Sequence, residues 1–513
     1  QGVELAPGPK ELMNMQRFYL YLNMTKPGEK LILSYSDTNA KGEGISPAYL
    51  IGSIRSLYPK LEIEGGAGVR PHKNSINNYC YPENPEAGID LFLEKLVQET
   101  EKEHEDILEQ VDETDAMFGE LYSWYLRNPE YRSRVQKLVQ SAFAGKPKDI
   151  ISQSVAKALY GEVSPYSATR LERFAACAFA HFLQYGMKLT ERVEYEFKPM
   201  DMGNVMHEAL ESFAEEVRKR GMKWTELTEQ ERNEIADRCL DNIVADYGNT
   251  VLKSSARNEY MIERTRRILR RTVWALQKQL EQGEFQPEGF EVTFGGGRID
   301  RVDIMEDQNK VYVKVIDYKT GNTSFDLVYL YHGLQLQLMI YLDGALRVEQ
   351  KKYPDKEIIP AGVFYYNIKD PMIQEKIDAD VEAVSAGLMK ELKMNGLVQA
   401  DPELVYRMDS SLGSIPVAFN KDGSFRKNSS VADRTQFAVL GRYVRTKIEK
   451  IRSSILEGDA EVSPYELGKK NACTYCPYMT VCGFDRRLSG YEFRRLKNFS
   501  DEELWKAFDR EAE

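Results

Sequence analysis

The chain comprises 513 residues and 59.0 kDa, room for about two to four domains at roughly 150 residues each. Hydrophobic residues make up 42% and charged residues 29%, a composition that excludes a disordered, collagenous or coiled-coil chain. Acids outnumber bases, 80 against 69, which argues against a protein held to nucleic acid by bulk charge; a local basic groove stays open, because exposed charges are screened beyond about 8 Å.

No run reaches the ~18 consecutive apolar residues of a membrane span; the nearest, Leu327 to Leu342, is interrupted by His332, Gln335 and Gln337. The opening Gln1-Gly2-Val3-Glu4 lacks an initiator methionine and a signal pattern, so the sequence reads as a fragment or processed chain. Nothing points to export, and a cytoplasmic location is expected.

In chain order, Met15 to Met24 has helical patterning, Pro27-Gly28 marks a turn, and Leu31-Ile32-Leu33-Ser34-Tyr35 predicts a short buried strand. Residues 56 to about 160 read as mostly helical. They include an acidic run from Glu99 to Asp115 that suits a solvated helix face. Gly161 to Pro165 is a plausible boundary. Helices resume from 166 to about 285, with a short strand expected at Tyr195-Glu196-Phe197. The helix from Glu263 carries Arg264, Arg266, Arg267, Arg270 and Arg271. Arg264, Arg267 and Arg271 share a face at i, i+3, i+7, a candidate phosphate contact as readily as a salt-bridged surface.

From Gly295 the period changes to two. Arg298 to Ile304 and Val311 to Lys319 alternate, and Met305 to Lys310 turns the chain between them, which predicts a β-hairpin. A helix near Gly333 to Arg347, a strand at Gly362 to Tyr366, and helices at Val381 to Met394 and Asp433 to Leu456 complete a mixed α/β pattern. There is no P-loop of the type G-x-x-x-x-G-K-[ST], so ATP hydrolysis by this chain alone is not expected.

Chemistry concentrates in the hairpin. Asp317 and Lys319 are two apart and share a strand face, and the partner strand brings Asp300 beside them. Two converging carboxylates repel unless a cation lies between them, and Mg²⁺ (or Mn²⁺) suits oxygen donors of this kind. Such an ion acidifies a bound water and neutralises charge on a phosphoryl oxygen, while a lysine adds a mobile positive charge. Upstream, Gly203 and His207 lie four apart at a helix start; His207 is one of only five histidines. Downstream, Gln337 and Tyr341 stand one helical turn apart.

Six cysteines do not make a disulfide scaffold. Cys473, Cys476 and Cys482 crowd within ten residues and want a fourth thiolate. Cys177, in an apolar helical segment, is the best candidate, and His181 one turn later is an alternative. Cys80 and Cys239 read as structural. Spacing alone leaves zinc and an iron–sulfur cluster both open.

Taken in order, Gly203-x3-His207, Gly297-x-Ile299-Asp300, Asp317-Tyr318-Lys319 and Gln337-x3-Tyr341 resemble the nuclease domain of the RecB family within the PD-(D/E)xK superfamily. The resemblance implies a restriction-endonuclease-like mixed sheet flanked by helices. It implies that His207, Asp300 and Asp317 bind metal, that Lys319 serves the attacking water, and that Gln337 and Tyr341 support the site and the DNA backbone. A cysteine before these motifs and C-x2-C-x5-C after them is similar to the iron–sulfur staple of AddB-type nucleases, which implies a structural 4Fe–4S cluster on Cys177, Cys473, Cys476 and Cys482. Met15 to Leu31 looks like a degenerate last motif of a superfamily 1 helicase, with Lys26-Pro27 where an active form carries arginine after the threonine. The implied organisation is a helicase-like remnant at 1–55, a helical connector at 56–160, a nuclease domain at 161–500 and a tail at 501–513. The implied partners are DNA ends, cut on the 5′-ended strand, and a separate AddA-type motor chain. A stand-alone RecB-family exonuclease and a catalytically dead DNA-binding scaffold are the rival readings.

Overall fold

The computed structural model describes residues 8–36, 45–61, 85–101, 113–142, 150–161, 167–192, 199–246, 255–295, 297–373, 380–488 and 490–512. Cys80, residues 102–112 of the acidic run, segment 162–165 and Tyr195 to Phe197 lie outside these residues. The chain divides into two compact units, residues 1–144 and 145–513. Among the described residues no helix is long and apolar enough to cross a membrane.

The first unit contains α1 (Pro9–Thr25), α2 (Tyr49–Leu57), α3 (Pro85–Glu101), α4 (Glu113–Arg127) and α5 (Pro129–Ala142). Helices α3 to α5 close around Phe92 and Tyr125, with Phe92 stacked on Phe118 at 4.8 Å and the Tyr125 hydroxyl donating to the Pro85 carbonyl at 2.7 Å. The expected strand at Leu31–Tyr35 is not formed. Those residues are irregular, and Leu31, Ile32, Leu33 and Tyr35 are exposed. A short apolar run becomes a strand only where another strand accepts its hydrogen bonds, and none is present among the described residues of this unit.

The second unit opens with α6 (Gln153–Tyr160), α7 (Ala168–Ala176), α8 (Ala178–His181), α9 (Pro199–Lys219), α10 (Glu229–Asp246) and α11 (Ala256–Glu281). Then come β1 (Gln286–Phe294), β2 (Gly297–Glu306), β3 (Lys310–Lys319), α12 (Leu327–Tyr331), α13 (Gln337–Lys352) and β4 (Glu357–Asn367). The remainder is α14 (Val381–Glu391), β5 (Asn395–Gln399), α15 (Pro402–Met408), β6 (Val431–Ala432), α16 (Arg434–Glu457), β7 (Tyr465–Leu467), β8 (Lys470–Asn471), α17 (Met479–Cys482), β9 (Arg494–Arg495) and α18 (Asp501–Ala512).

Strands β1 to β6 form one mixed sheet in sequence order, antiparallel at β1–β2, β2–β3 and β4–β5, and parallel at β3–β4 and β5–β6. The expected hairpin is β2–β3, and α13 is the crossover that makes β3 and β4 parallel. Side-chain alternation sorts the sheet's two faces. Val311, Val313, Val315 and Val363 pack under α7, α13 and α16. Ile316, Tyr318, Phe364 and Tyr366 pack under α9, α10, α11 and α15. Burying each such side chain contributes about 1.5–3 kcal/mol, so register on β3 is strongly fixed: a one-residue slip would send Asp317 and Lys319 into the opposite core.

The second face also buries a charged cluster. Arg301 donates to Asp303 at 2.6 and 3.0 Å, and Lys314, the cross-strand partner of Asp303, reaches it at 2.8 Å. The Arg301 guanidinium lies over the rings of Trp224 and Phe290.

Candidate functional site

Register places the site. Arg301 pairs with Ile316, so Asp300 and Asp317 meet at the end of the hairpin. The Asp300 carboxylate accepts the Tyr318 N–H at 2.7 Å, and Lys319 Nζ reaches the Asp317 carboxylate at 2.5 Å. Helix α13 supplies the next layer. Gln337 Oε1 accepts from Lys319 Nζ at 2.8 Å, and Gln337 Nε2 donates to the Tyr341 hydroxyl at 2.8 Å. From α9, His207 Nδ1 stands 3.3 Å from Asp300 Oδ2. Gly203 permits this approach, because a Cβ there would press on Thr320 Oγ1 at 3.3 Å.

Two acids that sequence motifs did not flag join the site. Glu291 on β1 lies 3.9 Å from His207, and the ligand atoms of His207, Glu291 and Asp300 fall within 4.8 Å of one another. Glu291 has φ +49°, a left-handed backbone costly for a side chain with Cβ, just beyond the register shift between Pro287 and Gly289. Bulges of this kind re-aim side chains. Arg298 also contacts the Glu291 carboxylate. The second acid, Glu172 on α7, accepts the N–H groups of Leu336 and Gln337 at 2.7 and 2.9 Å.

The electrostatics are those of a site built for a cation. Burial, then the neighbouring Asp317 charge, holds Asp300 well above the ordinary carboxylate range. Burial raises Asp317, opposed by Lys319. Burial, then Lys319, lowers His207 and keeps its imidazole neutral, the form that ligates metal. Glu172 is pushed up to about 7 by burial. A neutral imidazole among buried carboxylates at these distances fits a divalent ion, which would offset the repulsion.

The arginines of α11 divide. Arg266 and Arg270 are ion-paired to Asp237 and Asp241 of α10 and clamp the two helices. Arg264 and Arg267 are exposed, with Arg267 bridged to Asp370 at 2.7 Å, and Arg271 lies over the Trp274 ring.

A separate pocket gathers the cysteines. Cys177, at the C-terminal end of α7, and Cys473, Cys476 and Cys482 line a recess with Phe179 and Tyr478. Asn471 shapes the loop by accepting the Cys473 and Thr474 N–H groups at 2.9 and 3.1 Å. Burial, then the three other sulfurs, pushes the Cys473 thiol up to about 12. Four sulfur donors converging in an apolar recess fit a thiophilic metal group, which would take them as thiolates. Zinc and an iron–sulfur cluster both accept four cysteine ligands. His181 does not line the recess; its Nε2 accepts from Arg170 Nε at 3.1 Å, and burial, then Arg170, lowers it to about 3. Cys239 is buried in α10 away from this recess.

A mixed sheet carrying paired acids and a lysine on one hairpin, with a histidine, a glutamine and a tyrosine from flanking helices, has the form of a metal-dependent nuclease core. Residues 165–483 match the family model of the PD-(D/E)XK nuclease superfamily, and the chain belongs to that superfamily. It is 39% identical to an ATP-dependent helicase/deoxyribonuclease subunit from Lachnoclostridium phytofermentans, over 100% of this chain and 44% of that protein. The proteins of the same name from Clostridium acetobutylicum and Thermoanaerobacter sp. are 31% and 30% identical, over 100% and 99% of this chain and 45% of each of them. The chain thus spans about half the length of the relatives it matches.

Proposed function

We propose that this chain is the nuclease-bearing part of a helicase–nuclease subunit, hydrolysing DNA phosphodiesters as duplex ends are unwound. The observation that carries the reading is the convergence of Asp300, Asp317 and Lys319 on one hairpin end beside His207. In this reading His207, Asp300 and Asp317 hold Mg²⁺ or Mn²⁺, with Glu291 at the rim. The ion, when bound, supplies an acidified water and neutralises a phosphoryl oxygen. Lys319 steadies the attacking water and the developing negative charge. Gln337 fixes the lysine by accepting from Nζ, and Tyr341 fixes Gln337. Arg264, Arg267 and Arg271 offer phosphate contacts along α11. Cys177, Cys473, Cys476 and Cys482 hold a 4Fe–4S cluster that closes the domain.

The relatives are named as subunits of an ATP-dependent helicase/deoxyribonuclease, which supports a partner chain and DNA as substrate; in this reading the partner is an AddA-type motor, and of the single strands freed from the duplex the 5′-ended one is cut. The implied role is processing double-strand breaks for recombination in the cytoplasm. A stand-alone exonuclease is disfavoured by similarity, across the whole of this chain, to proteins named as subunits, and a dead scaffold by the intact acids and lysine.

The test is cutting of single-stranded DNA by the full-length subunit with its partner, with and without Mg²⁺, beside Asp317→Ala and Lys319→Ala. Each substitution is expected to lower the rate by about 10²-fold or more, with the fold retained by circular dichroism. Undiminished cutting by Asp317→Ala ends the reading. Iron and labile sulfide in the purified protein support the cluster; one zinc without iron refutes it.

A further inference from the structure

The cysteine pocket and the nuclease site share one short helix. Helix α7 is capped by Ser167, whose Oγ accepts the Arg170 N–H at 3.4 Å, and is held in the core by Leu171 and Phe174. Its C-terminal end belongs to the pocket. Cys177 is its C-cap, Arg173 donates to Cys476 Sγ at 3.7 Å and lies over the Tyr478 ring, and Arg494 of β9 donates to the Ala175 carbonyl. Its other face belongs to the active hairpin. Glu172 accepts the two N–H groups that open α13, one of them from Gln337, whose side chain holds Lys319 Nζ at 2.8 Å, and that ammonium pairs with Asp317 at 2.5 Å. Residues 172 and 173 therefore face the two centres from adjacent positions of one rigid element.

We propose that α7 is a strut between the cysteine pocket and the nuclease site, and that Glu172 is a positioning residue that sets Lys319 by anchoring the first turn of α13. The proposal rests on the nuclease reading of the hairpin. Glu172 touches neither substrate nor metal in this scheme. It acts through the backbone of Gln337, and the oxygen it presents is the functional part, not its charge. Displacement of a catalytic group by about 1 Å costs about 10²-fold in rate, so a loosened first turn of α13 is expected to reach the chemistry.

The test uses the full-length subunit with its partner and three substitutions. Glu172→Gln keeps an oxygen acceptor at the same reach and is expected to hold kcat within about threefold. Glu172→Asp keeps the charge but withdraws the oxygen by one methylene, and is expected to lose about tenfold to a hundredfold in kcat with KM for single-stranded DNA unchanged. Arg173→Met cuts the strut's hold on Cys476, and in combination with Glu172→Asp is expected to cost no more than the larger single loss, because both act through one path. The independent readout is amide hydrogen exchange of Leu336 and Gln337, which needs no nuclease activity. It should quicken in Glu172→Asp, in Arg173→Met and after iron chelation, and stay at the wild-type rate in Glu172→Gln.

The reverse order, with Asp tolerated and Gln not, would assign Glu172 a charge role and overturn the strut. So would unchanged exchange at Leu336 and Gln337 in Arg173→Met. If instead the exchange pattern holds while Lys319→Ala cuts normally, the strut stands and the nuclease assignment falls.

Discussion

Glu291 and His181 illustrate how single side chains carry testable consequences here. Glu291 is brought to His207 by a left-handed backbone that its own side chain disfavours. At the rim of the proposed cation site it adds one negative charge without sitting on the hairpin that carries the chemistry. Glu291→Gln is therefore expected to weaken Mn²⁺ binding by about tenfold to a hundredfold, measured by titration calorimetry, while saturating metal restores most cutting. Loss of cutting that excess metal cannot restore would make Glu291 a reactive group. His181 is a structural histidine with a pH signature. Burial, then Arg170, lowers it to about 3 from an unfolded value of 6.5. The native state holds it neutral, so the unfolded state takes up its proton first. Its contribution is intact above pH 6.5 and is lost as pH falls toward the folded value, at up to about 1.4 kcal/mol per unit. His181→Gln, which still offers Arg170 an acceptor, should flatten that acid limb in urea melts, and an unchanged slope would count against the assignment.

Among the elements, the β2–β3 hairpin was legible from its alternation, and so was the pairing of Gln337 with Tyr341, because periods of two and four project directly onto a strand face and a helix face. The bulged edge strand β1 was not. Pro287 and Gly289 break its pattern, and most of its residues are only half-buried. Glu172 was hidden for a different reason: on an amphipathic helix it looks like any surface acid, and only the N-terminus of α13, 164 residues away in sequence, buries it. That Arg266 and Arg270, off the face of Arg264, Arg267 and Arg271, clamp α10 through its carboxylates was not legible from the spacing of the arginines. The apolar run Leu31 to Tyr35 lacked the one thing a pentapeptide cannot reveal, a partner strand.

The hairpin's own stability has a test. Arg301, Asp303 and Lys314 are buried together on the sheet face opposite Asp300, Asp317 and Lys319. Removing one member strands the others' charge and costs about 3–5 kcal/mol, whereas apolar replacement of all three is often neutral. Arg301→Met alone should thus lower the urea midpoint far more than the triple change Arg301→Met, Asp303→Leu, Lys314→Met. Equal losses would mean that the cluster acts by shape rather than by charge pairing.

Across the molecule, the largest lever is the closure that the proposed cluster would make at the cysteine pocket. Cys177 precedes the whole six-stranded sheet and Cys482 follows it, so a group bound to all four cysteines ties points about three hundred residues apart. The chain-entropy treatment of a cross-link over a loop that long gives at most about 5–6 kcal/mol, with cost growing slowly in loop length. Strands β7, β8 and β9 are two or three residues each; beyond their backbone pairs the arm is tied by the Arg494–Ala175 contact, by the Tyr478 hydroxyl donating to the Leu189 carbonyl at 2.9 Å, and by α18, whose Leu504, Ala507 and Phe508 lie in the core. The six-stranded sheet has its own core on both faces and does not need the closure to stay folded. Anaerobic iron chelation is therefore expected to separate the two. The melting temperature should fall by about 10 °C or more, and trypsin should gain access to Lys469, Lys470 and Arg486, exposed side chains that flank the cysteine segment on either side. Fragments containing β1 to β6 should persist through the same digestion. Chelated and untreated protein that melt together and yield one common digest would show that the C-terminal arm is held by packing alone.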